Sequence, residues 1–405
     1  MRFTTPLNQV NYHRHFQRIW KRQSRLQATE LQIPEELKEM GVIIKDAKEM
    51  LFQDRLFPPS KKVERSIPQP PSVLNQGNYF YVMHGKTKVS ESENQTLALT
   101  KTLPYQGLPT QIQSLIGVES LLNQDELVQT NILQAQVWDG DQYKLPKKLD
   151  IKNPGYNFKR EYGIRHKKKV SGLLEKLLFL CDGAIGKYPN CLQRDIMLDV
   201  ICKLNVNRNG SDVTFDMPCD AMMTCTIPLK RFASPSEVAE TENCEVPNIY
   251  PIKPTLDLEK FEEKSISPTV KRFNSAHIHT LFVAQKSFSF WFPKQMLGRA
   301  IATCFSFAAK EARMKYGIDI KVLPEPINMQ CMYMDIKSFN FLAYQLNTLD
   351  LEHNNGIKNQ VWMDEPLSLY KQVSEKDLVT DYNPEVFPKM LALYMNGLIQ
   401  PPSQN

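Results

Sequence analysis

The chain has 405 residues, 42% of them hydrophobic and 23% charged, which describes a globular protein and excludes a disordered or collagen-like one. No apolar run reaches the roughly 18–20 residues that span a bilayer, so no membrane span is expected. The formal charge of +6 is placed unevenly: Arg2, Arg14, Arg18, Lys21, Arg22 and Arg25 fall within residues 1–29, which hold no acid, and the remainder balances.

On a helical wheel Arg14, Arg18, Lys21 and Arg25 share one face, with Tyr12, Phe16, Ile19 and Leu26 opposite. An acid-free, Arg-rich amphipathic start fits a mitochondrial import sequence over residues 1–29. A basic arm on nucleic acid and a solvated tail are the alternatives. Pro34 introduces a helix over residues 35–56. Pro58, Pro59, Pro68, Pro70 and Pro71 then force an extended path, because proline neither continues a helix nor donates to a ladder. Residues 30–75 therefore read as a helix and a Pro-rich strap, and residues 76–400 as the globular body, with a possible division into two lobes near 140–275.

Within the body, residues 78–82 read as a strand, and residues 96–103 and 110–116 as helical turns. Asn123 is placed to cap a helix with Asp125 and Glu126 in its first turn and a buried stripe of Val128, Ile132, Ala135 and Trp138. A second basic cluster follows: Lys159, Arg160, Arg165, Lys167, Lys168 and Lys169, with one acid and Tyr162 interleaved. This composition suits contact with nucleic-acid phosphates. The alternative is a solvated loop before a helix over residues 171–180. The Gly183-Ala-Ile-Gly186-Lys187 run lacks the flanking residues of a phosphate loop and reads as a helix end.

Asn209-Gly210 calls for a type I′ hairpin. A two-residue loop there pairs Val206 with Val213, Leu204 with Phe215, Cys202 with Met217 and Lys203 with Asp216, so apolar meets apolar and charge meets opposite charge. Residues 221–227 are a candidate third strand, and residues 233–275 read as a long surface excursion. His277 and His279 open a strand to residue 284. Without a third ligand nearby they read as core or surface histidines rather than a metal site. Phe288, Phe290, Trp291 and Phe292 form an aromatic knot suited to packing or an interface. A largely buried helix follows over residues 296–316, closed by Gly317, and then a strand over residues 327–334.

The stretch 338–364 is the most informative. Phe339, Phe341 and Ala343 alternate with Leu342, Tyr344 and Leu346, so both faces of this strand are apolar and both should be covered. Gln345, Asn347, Asp350 and Asn355 then mark how the chain leaves the strand. Asn383 and Pro384 introduce a last helix with Leu391, Tyr394 and Met395 buried. The eight cysteines form no Cys-x-x-Cys pair and read as reduced, mostly buried thiols. No dinucleotide fingerprint, nucleophile elbow, HExxH or cysteine knuckle is present, so the residues nominate no catalytic group, cofactor or metal. The fold class expected is α+β: a mixed or largely antiparallel sheet packed with helices, with an extended N-terminal strap.

FLAYQLNTLDLEHNNGIKNQVWMD, PEVFPKMLALYMNGL, ALTKTLPYQGLP, HTLFVA and ARMKYGIDIKVLPEP together resemble the mitochondrial large ribosomal subunit protein thirty-seven family, related to programmed cell death protein nine. The resemblance is spread over most of the chain and weakest across residues 141–275. It implies a non-enzymatic structural protein of the mitochondrial matrix, built into the large subunit. The partners it implies are mitochondrial large-subunit rRNA and other mitochondrial ribosomal proteins, including a related paralogous partner. It implies no small-molecule substrate and no cofactor.

Overall fold

A computed structural model describes residues 35, 39–41, 79–138, 140, 142–145, 158–159, 161–262, 277–285, 292–373 and 378–398. The chain divides into two units, Met1–Gln76 with Pro146–Arg160, and Gly77–Leu145 with Glu161–Asn405. In the first unit Glu35 and Glu39 are helical. The import-like segment and the proline strap lie outside the described residues.

The second unit is built on a ten-stranded mixed sheet. Its main path runs β2 (Thr102–Gln106), β11 (Asn359–Met363), β10 (Ser338–Thr348), β9 (Val322–Met334), β8 (His277–Ala284), β6 (Ser211–Cys225), β1 (Tyr79–His84) and β7 (Glu259–Glu262). β5 (Arg194–Arg208) pairs with β6, and β12 (Leu367–Ser368) with β10. A separate short ribbon pairs β3 (Tyr143–Lys144) with β4 (Tyr162–Gly163). Three pairings of the large sheet are parallel: β1 with β6, β8 with β9, and β11 with β2. The expected α+β class with a mixed sheet holds.

Helices cover both faces, which is why several strands are apolar at successive positions. On one face Leu342, Tyr344 and Leu346 pack with β9 residues Met329 and Cys331 against α1 (Ser92–Thr100) and α6 (Pro293–Tyr316). On the other, Phe339, Phe341 and Ala343 pack with Met332 and Met334 against α3 (Gln124–Gln136), α4 (His166–Ile185) and α7 (Val386–Met395). Two short helices, α2 (Thr110–Gln113) and α5 (Pro235–Glu240), lie in the connections. Phe341 and Leu342 are both buried, so the two-sided burial read from the alternation is correct. At its far end β10 meets a shift of register against β9 between Leu346 and Thr348. Amide side chains take over there. Gln345 Oε1 accepts from the Phe232 and Ala233 N–H groups at 2.8 and 2.9 Å, and Asn359 Oδ1 from those of Asn347 and Thr348 at 2.8 and 3.0 Å. The polar tail of the stretch is thus a buried hydrogen-bond frame, as buried backbone donors require.

The hairpin forms in the expected register, including Val206 with Val213 and Lys203 with Asp216. Asn209 and Gly210 adopt φ of +49° and +73°, the left-handed pair a type I′ turn needs. Other expectations are corrected. Residues 221–227 form no third strand: β6 itself runs on to Cys225, where its edge takes β8. Residues 96–103 are helical only to Thr100, after which Lys101 turns left-handed and β2 begins. Asn123 stands at the start of α3 in a left-handed conformation, and its side chain makes no cap bond. Trp138 lies beyond the end of α3 and is 51% exposed, outside the buried stripe. Of the expected surface excursion, Val246, Ile249 and Leu258 are in fact buried, and β7 joins the sheet.

α1 and α6 touch at Gly298, where a Cβ would stand 3.0 Å from both Ser92 O and Thr96 Oγ1. Backbone cannot yield cheaply there. Gly298→Ala is expected to destabilise by about 1–3 kcal/mol, read from the urea midpoint, although alanine is the better helix former. An unchanged or raised midpoint would refute the tight contact.

Candidate nucleic-acid interface

The second basic cluster does not form a loop before a helix. α4 starts at His166, five residues ahead of the expected start, so His166, Lys167, Lys168 and Lys169 make up its first turn. Val170, Leu173, Leu174, Leu177, Leu178 and Cys181 carry the buried stripe that pins the helix. Arg165 takes the capping position with extended φ and ψ, and its side chain caps nothing. The first turn holds no acid. Lysines at a helix start oppose the positive end of the helix dipole. The helix dipole and the lysine charges both favour an anion at this end.

The side chains divide by environment. Arg165 and Lys167 are exposed, and Lys168 and Lys169 are half-buried. The Arg165 guanidinium lies 4.3 Å over the Tyr143 ring, which holds it outward at the surface. Burial lowers the Lys169 ammonium below the ordinary lysine value. His166 Nε2 lies 3.1 Å from Gln285 O, tying the helix start to the end of β8. Lys159 is exposed and belongs to the first unit. Arg160 lies outside the described residues, as do Arg14, Arg18, Lys21 and Arg25.

Lys167 also borders an open cleft of about 830 Å³, shared with Lys86 and Arg299 and with Asp199, Asp216 and Glu259. Its carboxylates have partners: Asp216 faces Lys203 at 3.6 Å, Glu259 faces His84 at 3.2 Å, and Asp220 accepts from the Ala284 N–H. The cleft therefore mixes charges. Among the described residues of the cluster the exposed cations are Lys159, Arg165 and Lys167, so the cationic surface is narrower than the sequence suggests.

The two histidines of β8 are structural. His277 Nδ1 pairs with Glu311 at 2.8 Å. His279 is buried, with Nε2 2.7 Å from Asn396 O and Nδ1 2.7 Å from Thr280 Oγ1. Among the described residues no group of three or more His, Cys, Asp or Glu is placed to hold a metal. Of the aromatic knot, Phe292 is described and is 73% exposed before α6; the other three lie outside the described residues. Six of the eight thiols are buried, Cys191 is half-buried and Cys244 exposed. No helix among the described residues is long and apolar enough to cross a membrane.

Sequence reasoning missed a set of buried cations, scattered along the chain without a local pattern. Arg208 is 3% exposed; its Nε and Nη2 donate to Ala98 O at 3.0 and 2.8 Å, and Nη1 to Leu351 O at 2.6 Å. Lys101 Nζ donates to Asp350 O at 2.9 Å, and Lys358 Nζ to Glu242 O at 2.8 Å. Burial first, then the neighbouring Arg208 and Lys358 charges, lower the Lys101 ammonium, against the pull of Asp350. Arg208 and Lys101 hold the loop 349–358 by its carbonyls, and Lys358, at the end of that loop, donates outward to the Glu242 carbonyl. They are spent inside the fold and offer nothing to a phosphate.

Residues 294–397, which run from α6 through β9–β12 to α7, match the family described as Mitochondrial 28S ribosomal protein S30 (PDCD9). Over much greater length the chain is similar to Large ribosomal subunit protein mL37 of Mus musculus, at 28% identity over 369 residues, 85% of this chain and 83% of that protein. It is likewise 28% identical to the proteins of that name from Bos taurus, over 85% of this chain and 83% of that one, and from Gallus gallus, over 79% and 74%. The resemblance carried by the quoted motifs is borne out by both kinds of match.

Proposed function

We propose, from this kinship with the large-subunit protein thirty-seven and its PDCD9 relatives, that the chain is a structural constituent of the mitochondrial large ribosomal subunit and supports mitochondrial translation as a scaffold. The observation that carries the reading is the similarity to mL37 along 85% of the chain. The family description that matches α6 to α7 names a 28S protein instead, but it covers 104 of 405 residues, and the longer match decides between the two. The chain is read as non-enzymatic and as residing in the mitochondrial matrix, consistent with an Arg-rich, acid-free start.

On this reading Arg165, Lys167, Lys168 and Lys169, together with Lys159 and Arg160, meet phosphates of large-subunit rRNA, and apolar surface meets neighbouring ribosomal proteins, among them a related paralogue. Outside residues 1–29 basic and acidic residues balance, so protein contacts should carry much of the anchoring. Sedimentation of mitochondrial extract is expected to place the chain in the large-subunit peak, and washing in rising salt should release it late. A free RNA-binding or assembly factor would sediment elsewhere. Charge reversal of Arg165 and Lys167 should weaken attachment and reduce the slope of log K against log salt by about 0.7–0.9 for each phosphate no longer neutralised. An unchanged slope would remove this helix end from the interface.

A further inference from the structure

The ends of the main strand path are short: β2 has five residues and β7 four. β5 has fifteen. β6 pairs with one side of β5 along its length, and β1 and β8 take the far side of β6, so among the described residues no strand flanks the second side of β5. Proteins keep such edges short or covered, because unpaired N–H and C=O groups template another strand.

The turn at Asn209-Gly210 fixes which groups face out. In a two-residue hairpin the flanking residues, here Arg208 and Ser211, bond to each other, and alternation carries that pattern along the strand. Val200, Cys202, Leu204 and Val206 therefore bond to β6, whereas Ile201, Lys203, Asn205 and Asn207 turn N–H and C=O outward. One bond reports this directly: Arg313 Nη1, from α6, donates to Asn205 O at 2.5 Å. Arg313 blunts the edge at Asn205, and at the other end Asp199 breaks the run with φ of +49°. Between them the outward groups of Ile201 and Lys203 have no backbone partner among the described residues. Ile201 is 58% exposed. The flank is cationic. The Lys203 side chain is exposed. Cys202 Sγ donates to Ser306 O and Arg313 meets Asn205, so Lys310, between Ser306 and Arg313 on one side of α6, runs along the same edge.

Donors alternating with acceptors along a strand are matched by another peptide backbone. Phosphates only accept, so they would leave the Ile201 and Lys203 carbonyls unpaired. We propose that the edge at residues 200–204 takes an extended, acidic segment of a neighbouring protein as an added strand. Its main chain pairs with Ile201 and Lys203, an apolar residue lies against Ile201, and carboxylates face Lys203 and Lys310. This rests on the reading of the chain as a ribosomal protein, and names one of the protein contacts expected to anchor it.

Hydrogen exchange over residues 200–207, followed by mass spectrometry on the free full-length chain and on isolated large subunits, tests this. In the free chain the amides of Cys202, Leu204 and Val206 should be protected, and those of Ile201 and Lys203 should exchange freely. On the subunit the latter two should slow by at least about tenfold. Protection of both in the free chain at every concentration would mean that the chain covers its own edge. Protection that grows with concentration would mean a second copy. Either overturns the proposal. A proline variant supplies the second arm. Lys203→Pro deletes an outward N–H and leaves the bonds to β6 in place, so the thermal midpoint should hold within a few degrees. Expressed in mitochondria beside the parent chain, it should be recovered in the large-subunit peak at least about tenfold less. Lys203→Ala removes the charge alone and should cost no more than about threefold. Equal losses for the two variants would assign the edge to RNA phosphate, and no loss for the proline would leave it without an added strand; both outcomes overturn the proposal. The two readings fail distinguishably. A chain absent from the large-subunit peak loses the ribosomal reading and the added strand with it. A chain present there whose edge amides still exchange freely loses the edge assignment alone.

Discussion

Folded stability should fall steadily as pH drops from about 6.5 towards 3, because His279 resists protonation. Its pKa is pushed down to about 3, first by burial and then by the Arg194 charge, against the pull of the Asn396 carbonyl. That carbonyl can only accept, and at 2.7 Å it lies closer to Nε2 than the Arg194 Nη2 donor at 3.3 Å, so we place the proton on Nε2 and let Nδ1 accept from the Thr280 hydroxyl. The ring joins a buried network: Gln330 Nε2 donates to Thr280 Oγ1 and Leu393 O, and Asn396 Nδ2 to Gln330 Oε1. Arg194 donates to Tyr394 O and Asn396 O. Together these fasten the carboxyl end of α7 to the sheet.

The direction follows from proton counting. The folded pKa lies below the unfolded one, so between the two values the unfolded chain binds more protons. Stability is fully present above about 6.5 and is lost as pH falls towards 3. Over that window the group accounts for about 4–5 kcal/mol. His279→Gln keeps an N–H for the Asn396 carbonyl and cannot titrate. Urea midpoints measured at half-unit steps should therefore fall less steeply with acid for the variant than for the parent. Parallel curves would mean that His279 titrates normally.

The second large effect is expected at Arg208. Arg208→Ala removes the donors of the Ala98 and Leu351 carbonyls and opens space at a buried position. Each buried carbonyl left unpaired costs about 1–3 kcal/mol, and the cavity adds to that, so a loss of about 3–4 kcal/mol is expected. Arg208→Lys should recover part of it, since an ammonium cannot span two carbonyls as a guanidinium fork does. Denaturant unfolding at neutral pH measures both. A loss under about 1 kcal/mol for Arg208→Ala would show that the loop 349–358 does not depend on this side chain. The bonding pattern explains the site: burial pushes the guanidinium down to about 10, and its partners are the Ala98 and Leu351 carbonyls with the Asn209 and Asn354 side-chain oxygens, so it acts as a clamp on neutral acceptors rather than as a salt bridge.

Local chemistry is legible where neighbours in sequence are neighbours in space. The hairpin at Asn209-Gly210 is one such case, because its turn sets its own register. The alternation of Phe339 to Leu346 is another, because a strand apolar on both faces has few other places to lie. The start of α4 is hidden because four polar residues, His166 to Lys169, mask a helix whose apolar stripe begins only at Val170. Asn123 does not cap α3 because its left-handed backbone carries no side-chain bond to the helix amides.

The candidate interface is legible only in part. The run of Lys and Arg marks the right segment, but which charges face solvent depends on how α4 lies against β8 and the rest of the body. Lys169 is half-buried, and Lys167 meets a cleft that also holds carboxylates.

By itself, the sequence determined the kind of protein: a globular mixed α and β chain, apolar on both faces of its strand at 338–348, with its net charge gathered in the first 29 residues and a family resemblance written in scattered motifs. Those properties depend on composition and on contacts a few residues long. Tertiary structure alone decided which of the cations are spent. Arg194, Arg208, Lys101 and Lys358 read in the sequence like any surface charge. Arg208, Lys101 and Lys358 are buried and Arg194 is half-buried, each against a carbonyl from a segment remote in the chain, since a buried backbone acceptor must find its donor wherever the fold brings one.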